Sequence, residues 1–343
     1  MDSHGIRLLP NYVENCLAGG VNPTPNWGVS HPFPSICVLD ADDTFGLAAG
    51  RKAMDIGMAI AATQGVCMLA VQNSHHPGAM AATTLYAARK GAIIGLCCAT
   101  ILGLVGVYFD AGFISWGHTN TGPKLANFGA SGSTFGTNPV AFAAPRGTEE
   151  DPFSLDMATS MIPWNKVEHH RATGGPLPEG VATTVEGVPT SDAAETQYLL
   201  PAGGYKGFGL AAMVEILSCV FTGMKFGDET QPMYGPKSDV TKGRGVGQFY
   251  LVARADGAVP QESFESELRR MSEAVRAVAP LEENGPAPQF AGDPEVGRAK
   301  LRGEIGIPLD GVVTDGLKAL AAAHGVDLAL REPTPGVEYE IRA

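Results

Sequence analysis

"GVCMLAVQNSHHPGAMAATTLYAARKG", Gly65 to Gly91, decides the architecture. Its opening is a continuous apolar run, short enough for a buried strand. The alanine-rich segment that follows ends in a basic turn and a glycine, as helix C-termini prefer. Ahead of the strand, Met54, Met58, Ala61 and Ala62 recur at helical spacing. A helix, a strand and a second helix in succession predict an α/β layer. They also set His75 and His76 at a strand-to-helix junction, where open α/β sheets gather their ligands.

Outward from that unit, residues 119–207 are rich in Gly, Pro, Thr and Asn, with "TNTGP", "FGTNP", "GGPLPEG" and "PAGGYKG" as punctuation, and read as loops around strands. "FGLAAMVEILSCVFTG" predicts a core helix with Leu210, Met213, Val214, Leu217 and Phe221 on its buried face and Gly223 at its end. "GQFYLVARAD" predicts a strand. "ESFESELRRMSEAVRAVAP" predicts a surface amphipathic helix with Phe264, Leu268, Met271, Val275 and Val278 on its apolar side. "DGLKALAAAHG" predicts a last helix with Asp315 as N-cap and Gly325 past its end.

The chain has 343 residues, 44% of them hydrophobic, and a formal net charge of -12, which fits an ordinary globular protein. Nucleic-acid binding draws on clustered Lys and Arg, and no such cluster occurs, so no nucleic-acid partner is expected. The six cysteines, Cys16, Cys37, Cys67, Cys97, Cys98 and Cys219, contain no C-x-x-C and suit buried thiols in a reducing compartment. No secretory or retention signal stands at either end, so the expected location is the cytoplasm. The stretch 91–109 is uncharged for about the length of a membrane span, but it lacks flanking aromatic and basic anchors and is expected to be buried rather than membrane-embedded.

No G-x-G-x-x-G follows a strand, and no P-loop or H-E-x-x-H occurs. Adjacent histidines such as His75/His76 and His169/His170 point in different directions and have no carboxylate at ligand spacing, so no metal is expected. His76 is a candidate acid or base, against the reading of a loop histidine without a role; spacing alone leaves open which of the pair faces inward. Lys206, between glycines where a loop opens a helix, could reach a phosphate, or stand solvated. Arg244 in "KGRGVGQ" has the fork that binds carboxylates, although loops of Arg and Gly are common.

Taken in order, "DSHGIRLLPNYV", "QNSHHPGA", "HTNTGP", "FGTNPVAFAAP", "LDMATS", "LPEGVA", "GVPTSD", "LPAGGYKGFGLAAMVEIL" and "GDPE" resemble the malate/L-lactate dehydrogenase family, which also holds ureidoglycolate and sulfolactate dehydrogenases and a piperideine-carboxylate reductase branch. The resemblance implies an α/β fold with a non-Rossmann, NAD(P)-binding mixed sheet and a helical domain formed by the N- and C-terminal parts. It implies residues 1–65 and 255–343 as a substrate-side and dimerisation domain, and 66–254 as the NAD(P)-binding domain. It further implies an NAD- or NADP-dependent oxidoreductase of small 2-hydroxy or 2-oxo acids whose site is completed across a homodimer.

Carried over by position, His76 resembles the family's acid/base, and an imidazole suits that work because both its protonation states are accessible near neutral pH. Ser3 and His4 match the Ser-His pair at the substrate end, a proton-donor position in the imine-reducing branch. Tyr12 matches a substrate-side phenol and Arg244 the carboxylate-binding arginine, with Arg7 a further substrate-binding candidate one residue short of the family's position. Thr121, Thr137, Asp156, Met157, Ala158, Lys206, Gly292 and Asp293 match positions that hold the dinucleotide.

Three departures stand out. Arg7 is two residues after Gly5, where the family pattern has three, and Leu8 fills the usual place. Lys166 stands where the imine-reducing branch carries an acid, which favours alcohol and ketone chemistry over the alternative of cyclic-imine carboxylate reduction. A surplus of residues near 92–111 reads as an insertion or a gene-model fault. Family members also carry helical residues ahead of the Ser-His motif, so restoring such residues is expected to raise activity, with His76 a firmer catalytic candidate than His4. A relative that kept the fold and lost catalysis is the remaining alternative.

Overall fold

The computed structural model describes residues 4–89, 112–147, 150–233, 238–282 and 285–331. Ser3, Lys90 and all of the apolar stretch with its surplus lie outside these residues.

After a 3-10 turn at Gly5–Leu8 the chain forms helix α1 (Leu9–Ala18), strands β1 (Gly28–Phe33) and β2 (Ile36–Thr44), helix α2 (Gly46–Gln64), strand β3 (Val66–Ser74) and helix α3 (Ala81–Arg89). Then come β4 (Phe113–Thr119), β5 (Leu125–Ala126), β6 (Ser133–Phe135), β7 (Val140–Ala144), β8 (Phe153–Met157) and α4 (Trp164–Thr173). The short strands β9 (Ala182–Thr183), β10 (Pro189–Thr190) and β11 (Tyr198–Leu199) precede α5 (Tyr205–Glu215). Strand β12 (Val246–Arg254) and helices α6 (Gln261–Arg276), α7 (Asp293–Ile305) and α8 (Gly311–Ala323) complete the described chain.

One seven-stranded sheet runs in the order β1-β2-β3-β12-β4-β7-β8, and a five-stranded one in the order β10-β9-β11-β5-β6. In the larger sheet β2 and β3 are parallel, with α2 as their crossover, and every other neighbouring pair is antiparallel. The sheet is therefore mixed, and the predicted α/β layer is present. Its core is α2 packed on the central strands: Ala49, Ala53, Met54 and Met58 of the helix meet Leu39, Leu69 and Val252 with none of these side chains exposed. Each buried Leu, Met or Val contributes about 1.5–3 kcal/mol. The small alanines let the helix lie close to the sheet. Gly57 closes the fit, since a Cβ there would stand 2.6 Å from Leu69.

Two expectations from periodicity are corrected. On α5 the large residues Leu210 and Phe221 are exposed, and the buried positions are Gly207, Ala211, Val214, Glu215, Ser218 and Cys219. The helix continues as a π-turn at Ile216–Val220, which rotates its face. It also lies against β12 too closely for bulk, because a Cβ on Gly247 would come within 1.7 Å of the Ser218 carbonyl oxygen. The last helix is capped by Asp310 rather than Asp315: the Val313 N–H donates to Asp310 Oδ1 at 2.8 Å, one turn before the predicted start. On α6, Phe264, Leu268 and Val275 are half-buried while Met271 and Val278 face solvent, as befits a surface helix.

The register explains where chemistry gathers. β2 and β3 end together, Thr44 beside Ser74, and the antiparallel β12 begins at the same edge with Val246 opposite Ser74. There β4 ends with Thr119 opposite Gln248, β7 begins with Val140 opposite His118, and β8 ends with Met157 opposite Val140. One edge of the sheet thus carries the residues after β3, β4 and β8 and those before β7 and β12.

Candidate active site

That edge holds His75 and His76 after β3, Arg244 before β12, Thr121 after β4, Thr137 before β7 and Ala158 after β8. His76 is half-buried, and its Nδ1 lies 2.8 Å from the Tyr12 hydroxyl and 3.3 Å from the Gly78 N–H. The phenol serves either tautomer, because its oxygen can accept from Nδ1–H or donate to the Nδ1 lone pair. The His4 ring stacks on that of His76 with centroids 5.6 Å apart and planes 6° off parallel. Tyr12 in turn meets Phe45 edge-on at 6.3 Å. The N-terminal 3-10 turn and α1 therefore bring His4 and Tyr12 onto the end of β3.

Burial holds the His76 imidazole well below its ordinary pKa, and the neighbouring His4, Arg244 and His75 add to this. Burial likewise lowers His4 to about 4. His75 is fully buried, and burial with the nearby Arg244 lowers it to about 3. The structure thus separates the pair: His75 is sealed in the core, while His76 keeps an accessible side. Arg244 is itself buried, its Nε donating to the Gln231 carbonyl at 3.0 Å. Its charge is close enough to disfavour protonation of both histidines.

A cleft of about 460 Å³ lies between α3, β8 and the start of α7, and its lining begins at Ala81, five residues after His76 in the chain. Asp156 and Gly292 both line it, together with Ala81, the first residue of α3. Asp156 Oδ2 accepts the Ala81 N–H at 2.8 Å, and burial pushes its carboxyl up to about 6. Gly292 has φ +98°, and a Cβ there would crowd the Ser154 backbone nitrogen at 3.2 Å. Its left-handed conformation lets the segment before α7 pass directly over β8. Asp293 turns away from the cleft into an ion pair with Arg276 at 2.6 Å, with the buried Arg146 3.9 Å off.

The threonine loops are tied into a single ladder. Thr121 Oγ1 accepts the Thr137 N–H at 3.0 Å, the Thr137 carbonyl accepts the Thr159 N–H at 2.9 Å, and the Thr159 carbonyl accepts the Ala202 N–H at 2.9 Å. Through Ala202 the ladder reaches the N-terminus of α5, where Lys206 is exposed. Arg7 lies apart from these groups, paired with Asp310, the N-cap of α8, which His169 Nδ1 approaches at 3.6 Å. Lys166 is on α4, the same helix as His169.

Sequence reasoning missed several groups that shape this edge. Gly46 begins α2 where a Cβ would stand 2.0 Å from the His75 carbonyl oxygen, so the helix start and the histidine backbone can touch only because position 46 has no side chain. Asn138 accepts the Thr121 N–H at 3.1 Å and donates to the buried Glu215 at 3.0 Å, locking the loop that carries Thr137. No local pattern announces either, since each contact joins segments far apart in sequence.

The family model described as malate/L-lactate dehydrogenase matches residues 1–109 and 101–318. Malate dehydrogenase of Pyrococcus abyssi is 32% identical over 341 residues, covering 95% of this chain and 84% of that protein. Ureidoglycolate dehydrogenase (NAD(+)) of Escherichia coli K12 is 31% identical over 278 residues, 81% of this chain and 72% of that protein. The solved sulfolactate dehydrogenase of Methanocaldococcus jannaschii superposes with a TM-score of 0.78 at 27% identity, covering 95% of this chain and 86% of that one. The mixed sheet without a glycine fingerprint is thus the fold of this dehydrogenase class. The chain belongs to the malate/L-lactate dehydrogenase family and is an oxidoreductase acting on hydroxy acids.

No helix among the described residues is long and apolar enough to cross a membrane.

Proposed function

We propose that this enzyme interconverts a small 2-hydroxy acid of malate or lactate type and its 2-oxo acid, with NAD(H) or NADP(H) as redox partner and His76 as acid/base. The observation that supports this reading is an imidazole oriented by Tyr12 at the sheet edge, followed five residues further along the chain by Ala81, where the lining of a cleft along α3 begins. The residues present fit a dinucleotide. The cleft joins an apolar wall to a buried carboxylate able to accept from sugar hydroxyls, and Gly292 clears backbone for close approach. When bound, the nicotinamide supplies or takes up the hydride.

The chain's own residues do the rest. With Nδ1 engaged by Tyr12, Nε2 of His76 is the atom that gives a proton to the 2-oxo oxygen or takes one from the 2-hydroxyl. Arg244 supplies the fixed positive charge for the substrate carboxylate, buried where a charge-assisted bond is strong. His4, with Ser3 beside it in sequence, and Tyr12 form the substrate wall, and Arg7 braces that wall through Asp310. Thr121, Thr137, Asp156, Met157, Ala158, Lys206, Gly292 and Asp293 hold the dinucleotide, directly or through the loops they anchor.

The division into a substrate-side part (1–65 with 255–343) and an NAD(P)-binding part (66–254) is one of roles, because the seven-stranded sheet takes strands from both. A cytoplasmic homodimer is the working form. Dimerisation is supported by the apolar side chains of Ile216, Val220 and Phe221, exposed side by side at the end of α5.

The test is His76→Ala with a panel of 2-oxo acids and cyclic imine carboxylates. A loss of about 10²–10⁴ in kcat with dinucleotide affinity retained is expected. Undiminished turnover removes His76 from the role. Turnover of imines alone reassigns the enzyme to the reductase branch.

A further inference from the structure

The same cleft carries a charge pattern that distinguishes the two nicotinamide dinucleotides. It follows α3 from Ala81 to Arg89 at the helix's far end, and so leads away from His76. The reacting ring must sit beside His76, which leaves the distal cleft for the adenosine half. Its apolar wall, with Leu85, Pro152 and Phe290, suits an adenine face.

The charged lining residues among those described are Arg89, Asp151, Asp156 and Glu295. Arg89 is already paired with Asp151 at 2.9 Å. Asp156 is bonded to the Ala81 N–H and feels the charge of Glu295. Glu295 pairs with Arg298, which does not line the cleft, at 3.2 Å. Among the described lining residues, three carboxylates stand against one committed guanidinium, a negative balance.

NADP differs from NAD by a phosphate on the adenosine 2′ oxygen, a group with close to two negative charges at neutral pH. Sites that hold it supply cations, whereas a free 2′-hydroxyl is bound by an acceptor carboxylate. We propose that this cleft selects NAD(H) over NADP(H), with Asp151 and Glu295 offering acceptors to the adenosine ribose and, together with the charge of Asp156, repelling a 2′-phosphate. The inference rests on the reading that the cleft takes the dinucleotide.

Fluorescence titration of the full chain with NADH and NADPH, at low and high salt, tests it, with thermal melts in each nucleotide as a second readout. NADH is expected to bind at least about tenfold tighter than NADPH at low salt, and added salt is expected to narrow the ratio by screening the repulsion. Asp151→Asn, which releases Arg89, and Glu295→Gln are each expected to shift the ratio toward NADPH several-fold. Equal affinities, tighter NADPH, or a ratio insensitive to salt in the wild-type protein overturn the inference and leave the cofactor site standing. Binding of neither nucleotide by folded protein overturns the reading of the cleft and this inference with it.

Discussion

Burial keeps the His76 ring neutral at physiological pH, and the charge of the neighbouring Arg244 acts in the same direction. Oxidation of a hydroxy acid needs the neutral ring as base, so kcat/KM in that direction is expected to stay flat through pH 6.5 and to fall only below the ordinary histidine range. Reduction needs the protonated ring. Its kcat/KM is expected to rise as pH falls from about 8 to 6, by up to about tenfold per unit. Measuring kcat/KM in both directions across pH checks this, and an oxidative limb titrating at or above 6.5 would count against it. At this scale the strand-to-helix junction that carries His76 was legible from the residue pattern, whereas Asp156, inside β8, and Gly292 were marked only by the family resemblance. The Tyr12 bond to His76 was not, since it joins residues 64 positions apart and leaves no local trace. The same holds for Gly46, whose missing side chain matters only because the His75 carbonyl lies against it.

Among the elements, α7 is fastened to the sheet edge by charge. Asp293 at its first position receives Arg276 from α6, with Nη2 at 2.6 Å and Nε at 2.9 Å, and the buried Arg146 stands nearby. Asp293→Ala leaves two guanidiniums partly buried without that carboxylate, a loss of about 2–3 kcal/mol. It also lets the segment holding Gly292 move over the cleft. A lower Tm together with a several-fold weaker NADH affinity is expected, read by thermal melts and fluorescence titration. Wild-type affinity in a destabilised variant would separate the clamp from the site. Strands and helices themselves were readable from apolar period and end signals, as α2, β3, α3 and β12 illustrate. The face of α5 was not: periodicity points the large residues inward, but close approach to β12 admits only small ones, and the π-turn then shifts the phase.

For the whole molecule, buried histidines set the response to acid. Burial lowers His75 to about 3 and His118 to about 4, from 6.5 in an unfolded chain. Between those values and 6.5 the unfolded state binds protons that the folded state refuses. Stability is therefore full above about pH 6.5 and is lost as pH falls, by at most about 1.4 kcal/mol per pH unit for each such histidine. Tm is expected to drop between pH 7 and 5. His118→Phe, whose ring would keep company with Trp116 and Phe249, is expected to flatten that drop. An unchanged slope in the variant would assign the acid sensitivity elsewhere.

The middle of the large sheet has a consequence for how the chain is made. β12 lies between β3 and β4, yet it is synthesised well over a hundred residues after β3. At a translation rate of about 5–20 residues per second, β3 leaves the ribosome on the order of ten seconds before the strand that covers it. Until then β3 and β4 are bare apolar edges of the kind that pair with the wrong partner. For about half of its translation the nascent enzyme thus carries these edges uncovered, and the sheet that organises its chemistry closes only once β12 has emerged.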